Sequence, residues 1–128
     1  MGIKTVSNLK EAFAGESQAN RKYLAFAKKA EGEGYLQVAK LFKAAAEAET
    51  VHAHNHLRVL QGVKSTKENL QDAISGETHK FKSMYPAMME AAKLEKDDKA
   101  FQTFHFANEV EKIHASLYSK ALETLGKK

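Results

Sequence analysis

The first half of the chain carries apolar and small residues at the period of an α-helix. They recur every three or four positions over residues 9–30 and again over 35–60, which predicts two amphipathic helices. The sequence Glu-Gly-Glu-Gly at 31–34 interrupts the pattern and predicts a break between them. We expect Ser7 to cap the start of the first helix and Gly62 to end the second.

The second half of the chain repeats this arrangement. Ser65 or Thr66, followed by Glu68, resembles the cap of a third helix, in which Pro86 is a candidate kink. After a charged turn, a fourth helix spans about 99–125. Four long helices without a predicted strand indicate an all-α four-helix bundle.

The two halves are also similar in sequence. Residues 8–17 align without gaps on 69–78 at an offset of 61 positions, and the second helices of the two halves follow at an offset of 62. The chain is therefore predicted to be a duplicated helical hairpin, with repeats at about 7–61 and 67–125 in a single domain, 1–128.

Composition narrows the choice of chemistry. The chain has 128 residues, 43% of them hydrophobic, which suffices for one domain with a core. It has no cysteine, so disulfides, thiolate catalysis, iron–sulfur clusters and Cys-ligated zinc are excluded. The net charge of +4 is spread along the chain without a basic block, which argues against nucleic-acid binding. No apolar run approaches a membrane span and no secretion signal is recognisable, so the cytoplasm is the expected location.

A carboxylate and an imidazole recur at helical spacing in both halves. Residues three apart on a helix share a face, so each Glu-x-x-His pair can direct two ligands at one ion. A further glutamate lies on the apolar stripe of the helix before each pair. Four carboxylates offset the charge of two divalent cations, which is the pattern of di-iron and di-manganese helix bundles. The predicted metal ligands are Glu16, Glu49, His52, Glu77, Glu111 and His114.

Each of these residues also has a structural interpretation. A single Glu-x-x-His arises often by chance, and a histidine on an apolar face is more often a hydrogen-bonded core residue. Four unpaired carboxylates converging in a bundle would, however, be strongly destabilising, which favours a metal centre. Oxygen and imidazole ligands suit iron or manganese; zinc could bind the same set but could not perform redox chemistry.

Two tyrosines lie about two helical turns beyond the leading glutamates. Tyr23 and Tyr85 are placed on the inward stripes, where a phenol could hydrogen-bond a ligand carboxylate from across the bundle. Packing against aromatic neighbours is the alternative.

Several of these segments together resemble the ferritin-like di-iron domain of the rubrerythrins. The similarity covers nearly the whole chain and is carried by residues 14–23, 47–52, 76–86 and 111–114. The resemblance implies a non-haem di-iron centre that reduces hydrogen peroxide to water with electrons from a rubredoxin-type iron site. It implies that the six predicted ligands bind two iron ions, with Glu49 and Glu111 bridging, and that the two tyrosines act outside the ligand shell.

The chain departs from this family pattern in two places. It lacks the cysteines of a rubredoxin domain, so electrons must come from an external donor such as a separate rubredoxin. Lys80 stands where the family has a further ligand glutamate, and we expect its amine to swing away from the ions or to pair with an acid. Without that glutamate, His52 is predicted to remain a ligand in both redox states.

The connection between the hairpins restricts the topology. A ferritin-like bundle runs its second and third helices parallel, which needs a connection along the whole bundle. The second helix, at about 26 residues, would be ~39 Å long, whereas the five residues 62–66 reach at most ~18 Å. The chain is therefore either an up-down-up-down bundle or a helix-swapped homodimer. The resemblance favours the swapped homodimer, in which each centre takes one ligand set from each chain.

Three functions remain open from the sequence. The leading hypothesis is a di-iron peroxidase that protects against oxidative stress. The alternatives are a ferrous-iron oxidase or iron-handling protein, using dioxygen or peroxide as oxidant, and a structural bundle that holds zinc or manganese without turnover. Lys80 adds weight to the iron-handling alternative, because the ligand exchange seen with the family's extra glutamate is lost.

Overall fold

The computed structural model describes residues 1–126, and every regular element in this range is helical. The all-α prediction is confirmed; the last two residues of the predicted 1–128 domain lie outside the described range. The chain divides into two compact units, Met1–Val63 and Lys64–Lys128. The helices are α1 (Ile3–Gly32), α2 (Leu36–Val59), α3 (Thr66–His79), α4 (Tyr85–Leu94) and α5 (Asp98–Glu123).

Helix α1 starts earlier than its polar residues suggest. The N-cap is Gly2, and the prediction that Ser7 caps the helix is wrong. The backbone N–H of Val6 donates to the carbonyl of Gly2 at 3.0 Å, so Ser7 lies within the helix. Serine is only mildly unfavourable inside a helix, and the segment before it contains no proline that would stop the helix extending upstream.

Helix α2 ends in a Schellman motif. Gly62 N–H donates to the Leu57 carbonyl at 2.9 Å, and Gln61 N–H donates to the Arg58 carbonyl at 2.9 Å. The helix ends where Gly62 predicted, but the left-handed residue is Gln61, with φ 58°. Gly62 is needed for a different reason, because a Cβ at this position would overlap the Leu57 side chain.

Replacing Gly62 with alanine is expected to destabilise the first unit. Leu57 would have to leave its position to accommodate the new methyl group, at a cost of roughly 1–3 kcal/mol, the range for overpacked sites. Gly15→Ala is the matched control, because a Cβ there meets no atom within 4 Å and should stabilise α1 by roughly 0.5–1 kcal/mol. Urea unfolding of both variants measures the difference, and equal stabilities would contradict the packing described here.

A π-helical turn joins α3 to α4. Ser65 and Glu68 form the predicted capping box at the start of α3, which is confirmed. The helix then widens over Lys80–Met84, where the Tyr85 N–H donates to the Lys80 carbonyl five residues back. Pro86 follows in the first turn of α4, and because it has no N–H, the widened turn replaces the candidate kink. α3 and α4 thus continue one another as a single long helix.

Each unit is a helical hairpin held together by small residues. α1 packs on α2 in the first unit, and α3, the π turn and α4 pack on α5 in the second. Alanine side chains at the contacts let the helix backbones approach closely. The buried apolar residues of the described chain are Ala27, Ala30, Ala39, Ala46, Ala53, Ala92 and Ala115. In the part of the chain that the structure describes, no helix has the length and apolar character needed to cross a membrane.

Candidate metal centre

The first hairpin brings three of the predicted ligands together. Glu16 projects from α1, and Glu49 and His52 project from α2, one turn apart. The His52 Nδ1 atom lies 3.1 Å from Glu16 Oε2 and 3.4 Å from Glu49 Oε1. The ligand atoms of the three residues lie within 4.8 Å of one another. We refer to these three residues as the first half-site.

The second hairpin repeats this geometry. Glu77 projects from α3, and Glu111 and His114 project from α5. The His114 Nδ1 atom lies 3.2 Å from Glu77 Oε2 and 3.5 Å from Glu111 Oε1. These three residues, the second half-site, also keep their ligand atoms within 4.8 Å. The sequence repeat therefore gives each hairpin a matched set of two carboxylates and one imidazole.

Lys80 distinguishes the two half-sites. Its Nζ atom lies 3.2 Å from Glu77 Oε1 and 3.1 Å from Glu111 Oε2, so it pairs with both carboxylates of the second half-site. Of the two orientations expected from the sequence, pairing with an acid is confirmed. The equivalent residue of the first hairpin is Ala19, which carries no charge.

The two carboxylates of the first half-site perturb one another. A hydrogen bond with Glu16, followed by burial and the Glu16 charge, raises the pKa of Glu49. Hydrogen bonds with Glu49 and with His52 lower the pKa of Glu16. Two carboxylates in contact disfavour each other's charged form when no cation lies between them. The first half-site is therefore built to attract positive charge.

Lys80 supplies positive charge in the second half-site. Burial acts to raise the pKa of Glu77, but hydrogen bonds with Glu111 and Lys80 outweigh it and leave that pKa below its usual value. Hydrogen bonds with Glu111 and, to a smaller extent, Glu77 raise the pKa of Lys80 against the effect of burial. The Lys80 ammonium and the Glu77 carboxylate hold one another in their charged forms.

The donor set of both half-sites fits iron or manganese. Each half-site offers carboxylate oxygens and one imidazole nitrogen, which are the ligands these ions accept, and two carboxylates balance one divalent charge. The glutamate side chains are partly shielded, at 14–30% exposure, whereas the histidines remain 53% and 45% exposed. That these six residues bind metal is still a prediction.

The two predicted tyrosines pack in aromatic clusters. The Tyr23 ring lies 6.3 Å from that of Phe26 and 6.0 Å from that of Phe42. The Tyr85 ring lies 6.1 Å from that of Phe104. Among residues 1–126, neither tyrosine hydroxyl donates to a ligand carboxylate of its own hairpin. The rings pack against aromatic neighbours, which was the alternative interpretation. A hydrogen bond from either tyrosine to a ligand carboxylate stays a prediction.

An asparagine that carried no predicted role links the two helices that carry the first half-site. Asn20 Nδ2 donates to the Ala46 carbonyl and to Thr50 Oγ1, both at 2.8 Å, and so links α1 to α2. Asn20 lies one turn after Glu16, and Thr50 follows Glu49. The signal for this role was a polar residue on an otherwise apolar stripe. In the second hairpin, Asn108 occupies the position equivalent to Ala46 and is 6% exposed.

Comparison with known proteins gives a consistent result. Residues 7–122 match the protein-family profile described as rubrerythrin. The chain is 39% identical to Rubrerythrin-2 of Clostridium acetobutylicum, with 94% of this chain and 73% of that protein covered. It is 36% identical to nigerythrin of Nitratidesulfovibrio vulgaris, with 91% of this chain and 65% of that protein covered.

The fold is also similar to a solved structure. The fully reduced, all-ferrous state of nigerythrin matches with a TM-score of 0.52 and 34% sequence identity, covering 100% of this chain and 70% of that one. The chain thus spans about two thirds to three quarters of the length of the proteins it resembles.

Proposed function

Because the chain belongs to the rubrerythrin family, we propose that it is a di-iron peroxidase that reduces hydrogen peroxide to water with electrons from an external donor. The observation that carries this proposal is the pair of matched half-sites. Together they supply four carboxylates and two imidazoles, the set that binds two iron ions in carboxylate-bridged helix bundles.

The residues of the chain prepare this chemistry. When bound, an iron pair would supply the two electrons that reduce hydrogen peroxide. The reaction also consumes two protons and forms two water molecules. The four carboxylates of Glu16, Glu49, Glu77 and Glu111 would hold two ferrous ions and offset their four positive charges. His52 and His114 would each bind one ion, and because position 80 is not a glutamate, no carboxylate is available there to replace His52.

The length of the connection supports a helix-swapped homodimer. Helix α2 has 24 residues and is ~36 Å long, whereas the six residues between Val59 and Thr66 reach ~21 Å at most. A ferritin-like arrangement needs the chain to return along the whole bundle at this point. A second copy removes that requirement, because the first half-site of one chain can combine with the second half-site of its partner.

Exposed apolar side chains also favour a second copy. Many large apolar residues of the hairpins are more than half exposed in the single chain, although soluble proteins rarely leave extended apolar surface uncovered. An interface that covers such residues is typical of obligate dimers. The residues are Ile3, Tyr35, Leu36, Leu41, Val51, Val59, Val63, Leu94, Phe106, Ile113 and Leu117.

The electron donor must be a separate molecule or domain. A rubredoxin-type iron site needs cysteine ligands, and the 128 residues contain none. We propose a rubredoxin as the donor, in line with the rubrerythrin family. The chain itself supplies the place where peroxide is reduced.

A second function is favoured by Lys80. A ferrous-iron oxidase would bind and oxidise Fe(II) with peroxide or dioxygen and then release or store ferric ion, without needing rereduction. The lysine pairs with two predicted ligand carboxylates, and this arrangement weakens the hold on one ion, which suits release. This alternative predicts oxidation without a reductive cycle.

Anaerobic loading with Fe(II) separates these functions. The protein is given two Fe(II) per chain, mixed with one equivalent of hydrogen peroxide per iron pair, and then supplied with a reduced rubredoxin. Rapid oxidation followed by rereduction and repeated turnover is expected of the peroxidase. Oxidation without rereduction would indicate the iron oxidase, and failure to oxidise Fe(II) at all would overturn both.

A further inference from the structure

Lys80 and His114 together occupy all four carboxylate oxygens of the second half-site. Lys80 Nζ contacts Glu77 Oε1 at 3.2 Å and Glu111 Oε2 at 3.1 Å. His114 Nδ1 contacts the other oxygen of each carboxylate, at 3.2 and 3.5 Å. The four side chains form a closed ring in which the ammonium lies between the two carboxylates.

The first half-site has no such ring. His52 contacts one oxygen of Glu16 and one of Glu49, and the position equivalent to Lys80 is Ala19. The formal charge is thus −2 on the carboxylates of the first half-site, and it is −1 on the second once the ammonium is counted. A divalent cation meets less negative charge in the second half-site and must displace the ammonium to reach both carboxylates.

We propose that the Lys80 ammonium competes with the metal ion for the second half-site, so that this half-site binds a divalent cation more weakly than the first and fills after it. The proposal rests on the proposed function, because it concerns how the same metal centre is loaded. The ion of the second half-site is then the one that is exchanged more easily, and the ammonium takes its place when it leaves.

If Lys80 competes with the metal ion, the substitution Lys80→Met has a different effect on metal binding than if Lys80 has only a structural role. If Lys80 only stabilised the hairpin, Lys80→Met would weaken both folding and metal binding. If it competes, the same change lowers the thermal stability of the metal-free protein, because Glu77 and Glu111 lose their counter-ion, and tightens metal binding. Lys82→Met is the matched control, since Lys82 is exposed in the same π turn and lies 6.0 Å from the Phe81 ring.

A titration of the intact protein with Mn(II) tests this order of loading, with free Mn(II) measured by electron paramagnetic resonance. The wild type is expected to show two classes of site that differ in affinity by about 10–100-fold, the range for a changed partner of a metal ligand. Lys80→Met should tighten the weaker class by a similar factor, and Lys82→Met should leave both classes unchanged. Ala19→Lys, which places a lysine beside the first half-site, should weaken the tighter class.

The outcomes separate this inference from the proposed function. Equal affinities in the wild type, or an unchanged weak class in Lys80→Met, would overturn the competition even if peroxide turnover is observed. The wild type could bind Mn(II) with two affinities that become equal in Lys80→Met, while peroxide fails to oxidise bound Fe(II). This combination would support the competition by Lys80 and overturn the peroxidase function. Absence of any Mn(II) binding would overturn the competition, and the peroxidase would still be decided by the Fe(II) experiment.

Discussion

Glu49→Gln is expected to abolish formation of the iron pair while leaving the fold intact. The substitution keeps the shape of the side chain but removes one of the four carboxylate charges of the proposed di-iron centre. Loss of an outer partner of a metal ligand already reduces metal affinity by roughly 10–100-fold, so loss of a direct ligand should reduce it by more than roughly 100-fold. A hydrogen bond with Glu16 is the main cause of the raised pKa of Glu49, and the glutamine amide can donate to Glu16 in its place, so the metal-free variant should keep its stability.

Thermal unfolding with and without Fe(II) separates these effects. The wild type should unfold at a higher temperature when Fe(II) is added under anaerobic conditions, because a ligand that binds only the folded state stabilises it. Glu49→Gln should lose this increase and the oxidation by peroxide, with metal-free stability equal to or above that of the wild type. Glu47→Gln is the control, because Glu47 is exposed and lies about 200° around the helix from Glu49. A full Fe(II) response in Glu49→Gln would show that Glu49 is not a ligand.

The helices and the Glu-x-x-His pair of each half-site could be predicted from the sequence because both depend on local spacing. The 3.6-residue period places Glu49 and His52 one turn apart on any α-helix, and the repeat transfers the same geometry to the second hairpin. The capping box at Ser65 is equally local, since its partners are three residues apart. Patterns of this kind need no knowledge of the tertiary structure.

Features that depend on competing local preferences were harder to predict. A proline inside a helix can be accommodated by a kink or by a widened turn, and the sequence around Pro86 does not distinguish them. The Ser7 cap was wrong because a helix extends through serine when nothing upstream stops it. Predicting the two contacts of Lys80 requires the relative positions of Glu77 and Glu111, which lie on different helices. Spacing along one helix does not give these positions.

Two deficient variants are expected to restore one another in a mixed dimer. In the proposed helix-swapped dimer, each centre would combine the first half-site of one chain with the second half-site of its partner. A dimer of one Glu49→Gln chain and one Glu111→Gln chain therefore contains one centre with both substitutions and one with neither. In an unswapped arrangement, each centre belongs to one chain and every centre carries a substitution.

The decisive measurement is iron binding and peroxide-dependent oxidation of Fe(II) in this mixed dimer. Co-expression with two different affinity tags and purification on both tags isolates dimers that contain one chain of each variant. The swapped di-iron centre predicts about half of the wild-type iron content and oxidation amplitude in the mixed dimer, with neither in the two parent variants. Values no higher than those of the parents, or failure of the two tags to purify together, would contradict a di-iron centre shared between two chains.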